Sequence, residues 1–229
     1  MNQKILLFDI DGTLLLTGGA GRIAFERAFH KLFHIPEAWG DLIPDGKTDP
    51  SIIEEISQRT LGRRLAKHEY STLLEHYLIY FRDEIRNTPH FRLMPGVTEL
   101  LDILSKRNNI LMGLATGNLE EAAWLKLEKG NIRKFFSFGG FDSDSSDRSE
   151  ITRIAAERGE KIFGRKVDSH DVYVIGDTYH DVRAAKKLGF KTVAVTTGSM
   201  KEDHFLGGDK PTYLMSDLSD VRLFLNILD

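Results

Sequence analysis

The chain has 229 residues, 41% of them hydrophobic, which is enough for one sizeable core and a smaller appended module. Its 31 basic and 34 acidic residues leave a formal net charge of −3, a balance that gives no footprint for nucleic acid. There is no cysteine, so disulfides, thiolate chemistry and cysteine-based zinc sites are excluded, and no apolar run reaches the roughly 20 residues of a membrane helix.

The first predicted element is Ile5-Leu6-Leu7-Phe8, a short continuous apolar run of the kind found in buried parallel strands. It is shorter than a signal-peptide core and is interrupted by Asp9, so a cytoplasmic location is expected. Asp9-Ile10-Asp11-Gly12-Thr13 follows directly. Gly12 permits a tight turn, and Thr13 offers a hydroxyl to fix it. From about Leu15 to Arg92 helical periodicity takes over. Ala24, Ala28 and Leu32 share a face, Ile52, Ile53 and Ile56 form a second stripe, and Leu73, Tyr77, Phe81 and Ile85 lie on a third. This reads as an all-helical insertion without strands, entered and left through linkers near Leu15–Gly19 and Thr88–Pro95. Within it, Gly46-Lys47-Thr48-Asp49 is a polar loop before a helix, with Asp49 as its expected N-cap.

Beyond Arg92, strands and helices alternate. Val97, Leu100, Leu101 and Leu104 mark a helix, and Ile110–Ala115 a strand ending at Thr116-Gly117-Asn118. Ala122, Ala123, Leu125 and Leu127 mark the next helix; Phe135–Phe138 is a candidate strand; Ile151, Ile154 and Ala155 mark another helix. Val172–Ile175 is a strand ending at Gly176-Asp177, followed by a helix with Val182, Ala185 and Leu188 that Gly189 stops. Thr192–Val195 is a last, weaker strand. The expected class is therefore α/β with a parallel sheet, residues 1–15 and 93–229 forming a discontinuous core and residues 16–92 a helical domain.

Reactive groups gather at the carboxyl ends of strands in such sheets. Asp9, Asp11, Thr116, Asp177 and Asp181 all follow strand-like runs and are consistent with one shared site. Two carboxylates plus a later acidic pair are hard oxygen ligands suited to Mg²⁺, and a phosphoryl centre clamped by that ion accepts a carboxylate nucleophile. Thr116, Gly117 and Asn118 read either as a phosphate cradle or as a plain helix cap by Asn118. Asp181 reads either as a helix cap or as part of the acidic set.

The ordered set Asp9-x-Asp11-Gly12-Thr13, Thr116 and Gly176-Asp177-x-x-x-Asp181 resembles the haloacid-dehalogenase-like (HAD) hydrolase superfamily, over about Lys4 to Gly198. The resemblance implies a Rossmann-like core with an inserted helical cap of type C1. It implies Asp9 as nucleophile and Asp11 as general acid and then base. Mg²⁺ would be held by Asp9, the Asp11 main-chain carbonyl and Asp177, with Asp181 supporting, and Thr116 would bind the phosphoryl group. The family's usual lysine before the last motif is missing. Arg148 is the stand-in, against the alternatives of Lys161 or a surface arginine beside Asp147.

The presence of Asp11 argues against dehalogenation, and Gly21 at the expected histidine position argues against a phosphosugar mutase. The expectation is a Mg²⁺-dependent phosphate monoester hydrolase, phosphoglycolate-phosphatase-like, working through an aspartyl-phosphate on a small phosphorylated metabolite. Lys47 or Arg22 would meet the anionic remainder of that substrate. The alternatives are the mutase or a non-enzymatic phospho-accepting signalling domain, which would carry its aspartate on a later strand and lack the helical insertion. No nucleic-acid or membrane partner is expected, and the protein would be a monomer or homodimer.

Overall fold

The computed structural model describes residues 2–205 and 209–229. In chain order the elements are β1 (Lys4–Phe8), β2 (Leu15–Leu16), α1 (Ala20–Phe33), α2 (Asp49–Leu61), α3 (Lys67–Asn87) and β3 (Arg92–Leu93). They continue with α4 (Val97–Ser105), β4 (Ile110–Ala115), α5 (Glu120–Lys129), β5 (Gly139–Gly140) and α6 (Arg148–Phe163). The chain closes with β6 (Val172–Gly176), α7 (Tyr179–Lys187), β7 (Lys191–Val195), β8 (Tyr213–Met215) and α8 (Val221–Leu228).

Six strands form one sheet in the order β5-β4-β1-β6-β7-β8, and every neighbouring pair is parallel. This is the expected α/β class. The sequence of β1 shows why. Ile5 and Leu7 enter one apolar cluster, with Ala155 of α6 and Ala185 of α7, while Leu6 and Phe8 enter another, with Val97, Leu101, Leu127 and Phe224 of α4, α5 and α8. Helices cover both faces, so the strand carries apolar residues without alternation.

Register sets the site. Phe8 pairs with Leu114 of β4 and Ile175 of β6. Asp9 and Asp11, Thr116 and Asp177 therefore emerge from three adjacent strands at the same carboxyl edge. The sequential strands diverge to either side of β1, which makes this edge a topological switch point.

Helices α1, α2 and α3 pack around their own cluster of Phe25, Phe29, Trp39, Ile53, Tyr77 and Phe81, which also takes in Ala122 of α5. Two sequence expectations need correction here. The linkers do contain strands: Leu15 and Leu16 of β2 pair antiparallel with Leu93 and Arg92 of β3, tying the entry and exit of the helical segment together. Phe135–Phe138 is not the strand. Arg133–Phe135 is a short 3-10 turn, and only Gly139–Gly140 pairs with β4. Phe136 and Phe138 are buried because they enter opposite apolar clusters beside the sheet, a requirement that mimics a strand's hydrophobicity. Among the described residues no helix is long and apolar enough to cross a membrane.

Candidate active site

Asp9 leaves β1 with its N–H donated to the Ile175 carbonyl, 2.9 Å away, so strand pairing continues one residue into the site. The chain then turns sharply. Gly12 adopts φ 82°, and its N–H bonds the Leu15 carbonyl at 3.0 Å. Only glycine serves here, because a Cβ would lie 2.4 Å from Oδ2 of Asp177 as well as in the left-handed region. The turn aims Thr13 inward, and its Oγ1 donates to Asp177 Oδ1 at 3.1 Å.

Asp9, Asp177 and Asp181 are each less than a tenth exposed, and one oxygen from each lies within 4.8 Å of the others. Arg148 enters between them. Its Nη2 stands 2.9 Å from Asp9 Oδ1 and 2.5 Å from Asp181 Oδ1. The other oxygen of Asp181 accepts from the N–H and hydroxyl of Thr178, so the helix-capping role and the acidic-set role, set out as alternatives, coexist. Arg148 is the first residue of α6, capped by Asp147. Lys161 lines a separate surface hollow with Glu157, Gly164 and Lys166.

One guanidinium does not neutralise three buried carboxylates. Burial pushes Asp9 up to about 6 despite Arg148, and burial with the charges of Asp9 and Asp181 pushes Asp177 up to about 9. Three clustered hard-oxygen donors with a residual negative charge fit a small divalent cation, whose charge would reverse both shifts. Asp11 is not part of this trio. Its Oδ2 turns instead to Asn118 Nδ2 at 2.9 Å and to Lys126 Nζ at 2.5 Å.

Thr116 is fully buried, and its N–H extends the β4–β5 pairing to Gly140. Its Oγ1 accepts from Asn118 Nδ2 at 2.6 Å, which leaves the hydroxyl proton to donate. Asn118 does not cap α5: the helix starts at Glu120 after Leu119, and the Asn118 amide is committed to Thr116, Asp11 and Lys126. Nor does Asp49 cap α2. Thr48 does, accepting from Ser51 N–H, and Asp49 reaches across to the sheet domain instead. Its N–H bonds Gly117 O and its Oδ2 accepts from Leu119 N–H, both at 2.8 Å. Gly117 is pressed so closely that a Cβ would lie 2.7 Å from Lys47 O. The loop before α2 is thereby docked on the loop after β4.

A cavity of about 530 Å³ opens between them, lined by Asp9, Asp11, Thr116, Arg148 and Asp177 on one side and by Arg22, Phe25, Trp39 and Lys47 on the other. Lys47 Nζ pairs with Glu55 of α2, and Arg22 with Glu26 at 3.2 Å. Lys126 is a site residue that the sequence pattern does not single out. It is 5% exposed and lies on the buried face of α5 with Ala122, Ala123 and Leu127. A lysine at a core-facing stripe position is the one available signal.

Parallel sheet, switch-point acids and helical insertion together define a hydrolase class. Residues 6–195 match the haloacid dehalogenase-like hydrolases, and the chain belongs to that family. It is 24% identical over 227 residues to pyrophosphatase PpaX of Oceanobacillus iheyensis, covering 96% of each chain. It is 27% identical over 222 residues to phosphoglycolate phosphatase of Synechococcus elongatus, covering 96% of this chain and 95% of that protein. The fold superposes on CbbY from Rhodobacter sphaeroides with a TM-score of 0.70 at 19% identity, covering 96% of each chain.

Proposed function

We propose that this hydrolase is a Mg²⁺-dependent phosphate monoester hydrolase of small phosphorylated metabolites, working through an aspartyl-phosphate on Asp9. The carrying observation is the convergence of a buried carboxylate, Asp9, a bridging arginine and a second carboxyl, Asp11, on one cavity. Asp9, the Asp11 carbonyl and Asp177, with Asp181, would hold the ion, which when bound supplies charge to the phosphoryl oxygens and lets these carboxylates ionise.

Arg148 and the Thr116 hydroxyl grip the phosphoryl oxygens and hold phosphorus in line with Asp9. An Asp9 oxygen forms the new P–O bond while the bond to the ester oxygen breaks, and the Asp11 carboxyl gives its proton to that departing oxygen. The alcohol leaves. Water then attacks phosphorus, its proton passes to the Asp11 carboxylate, and the bond to Asp9 breaks to release phosphate and restore both residues. The helical segment serves as a cap that excludes bulk water, with the Lys47–Asp49 loop closing on Gly117 and Leu119.

The relatives named for phosphoglycolate and pyrophosphate support a small anionic substrate. Gly21, at the cavity wall, brings no imidazole, so the hydrolase reading is kept over a mutase. A phosphate-release screen across small phosphate esters tests the proposal. Release should require Mg²⁺, stop in EDTA and be abolished in Asp9→Asn. Activity unchanged by EDTA or by that substitution would overturn it.

A further inference from the structure

Lys126 poses a physical problem. Burying an ammonium is costly unless it is paired and hydrogen-bonded, and a leucine would fill the same stripe of α5 at no such cost. Lys126 Nζ meets its need through two hydrogen-bonding groups, Asp11 Oδ2 at 2.5 Å and Asn118 Oδ1 at 2.5 Å. Both belong to the candidate active site. The ammonium also lies 5.9 Å from the ring centroid of Phe81 on α3, and its charge offsets part of the burial effect on Asp49. It therefore stands where the sheet, the loop after β4 and the helical segment meet.

Asn118 Nδ2 and Lys126 Nζ both bind the same oxygen of Asp11, Oδ2. Among the described residues no hydrogen bond reaches Oδ1, and Asp11 lines the cavity. Asn118 is itself locked, its amide shared between Thr116 and Asp11 on one side and Lys126 on the other. The Lys126–Asn118–Asp11 triangle fixes one carboxyl oxygen and presents the other.

We infer that Lys126 is a positioning residue: it anchors Asp11 by Oδ2 so that Oδ1 faces the departing ester oxygen. The inference rests on the phosphatase reading above. It specifies that Lys126 acts on the proton-transfer half of the first step rather than on phosphoryl binding. Loss of the anchor lets the Asp11 carboxyl swing away, and the departing oxygen must leave without a proton. That penalty depends on the leaving group. An alkoxide needs the proton; p-nitrophenolate is a stable anion and does not. Because kcat/KM reports steps only through the first irreversible one, later hydrolysis of the phosphoenzyme does not enter the comparison.

The test compares Lys126→Met with the unaltered protein on p-nitrophenyl phosphate and on the fastest alkyl phosphate of the ester screen, both with Mg²⁺. For the alkyl ester kcat/KM should fall about 10²-fold or more, the range of general acid catalysis, and for p-nitrophenyl phosphate by less than about tenfold. Lys126→Arg, which keeps a donor, should restore part of the alkyl activity. A merely structural lysine would lower both substrates in the same proportion, and that result, or no fall in either, would overturn the inference. Should Lys126→Met be obtained only unfolded, Lys126→Gln carries the same comparison, with the same expected result and the same overturning one. Failure of the unaltered protein to hydrolyse any ester would instead overturn the phosphatase reading.

Discussion

Asp177 is held by a Thr13 hydrogen bond and surrounded by Asp9 and Asp181, and in the absence of a cation its carboxyl is pushed up to about 9. Asp9 follows to about 6. Folded values above the ordinary 3.8 mean that the metal-free folded state binds protons more tightly than the unfolded chain. Their contribution to stability is complete below about pH 4 and is lost as pH rises, through about 6 for Asp9 and about 9 for Asp177. In EDTA the melting temperature should therefore fall between pH 6 and pH 9, at most by about 1.4 kcal/mol of stability per pH unit per carboxylate. Asp177→Asn should flatten that fall, and saturating Mg²⁺ should reverse it. A metal-free stability that rises over this range would contradict the electrostatic account. Asp9, Asp11, Thr116, Asp177 and Asp181 were legible in the sequence because each follows an apolar run whose end is a strand end. Arg148 was legible only through its order among those motifs. Lys126 was not, because a lysine between Leu125 and Leu127 reads as a solvated gap in the stripe until its partners, more than 100 residues away in the case of Asp11, are in place.

Elements were legible in proportion to how far their own side chains dictate them. The buried run of β1 and the stripes of α1, α2 and α3 identify themselves, since burial on two faces or on one stripe leaves a direct pattern. The two-residue strands do not. β5 consists of two glycines, and its pairing is imposed by β4, so nothing local announces it. The helix starts near Asn118 and Asp49 escape local reading for a related reason: each side chain has a competing partner distant in sequence, Asp11 for Asn118 and the Leu119 N–H for Asp49, that outweighs the local cap. The turn between β1 and β2 is the element most tightly bound to function. Gly12→Ala would place a Cβ against the Asp177 carboxylate and force a left-handed alanine, costing about 1–2 kcal/mol for the backbone alone. The expected outcome is a lower urea midpoint and a loss of Mg²⁺-dependent turnover larger than that stability loss explains. Wild-type turnover in Gly12→Ala would show that the turn does not hold Asp177 in its working place.

For the whole molecule, the parallel order of the sheet converts three distant sequence segments into one edge, and residues of the helical segment line the cavity at that edge. The contacts of Asp49 with Gly117 and Leu119 bring the loop before α2 directly onto the loop that carries Thr116. Family membership rests on the match over residues 6–195, and the proposed chemistry stands on the nucleophilic role of Asp9. Rapid acid quench of turnover with ³²P-labelled acetyl phosphate and Mg²⁺, followed by peptide mapping, tests that role most directly. The account predicts an acid-stable, hydroxylamine-labile label on the peptide containing Asp9 that appears at the rate of turnover and is absent from Asp9→Asn. Turnover with no labelled protein, or with the label on another residue, would contradict it.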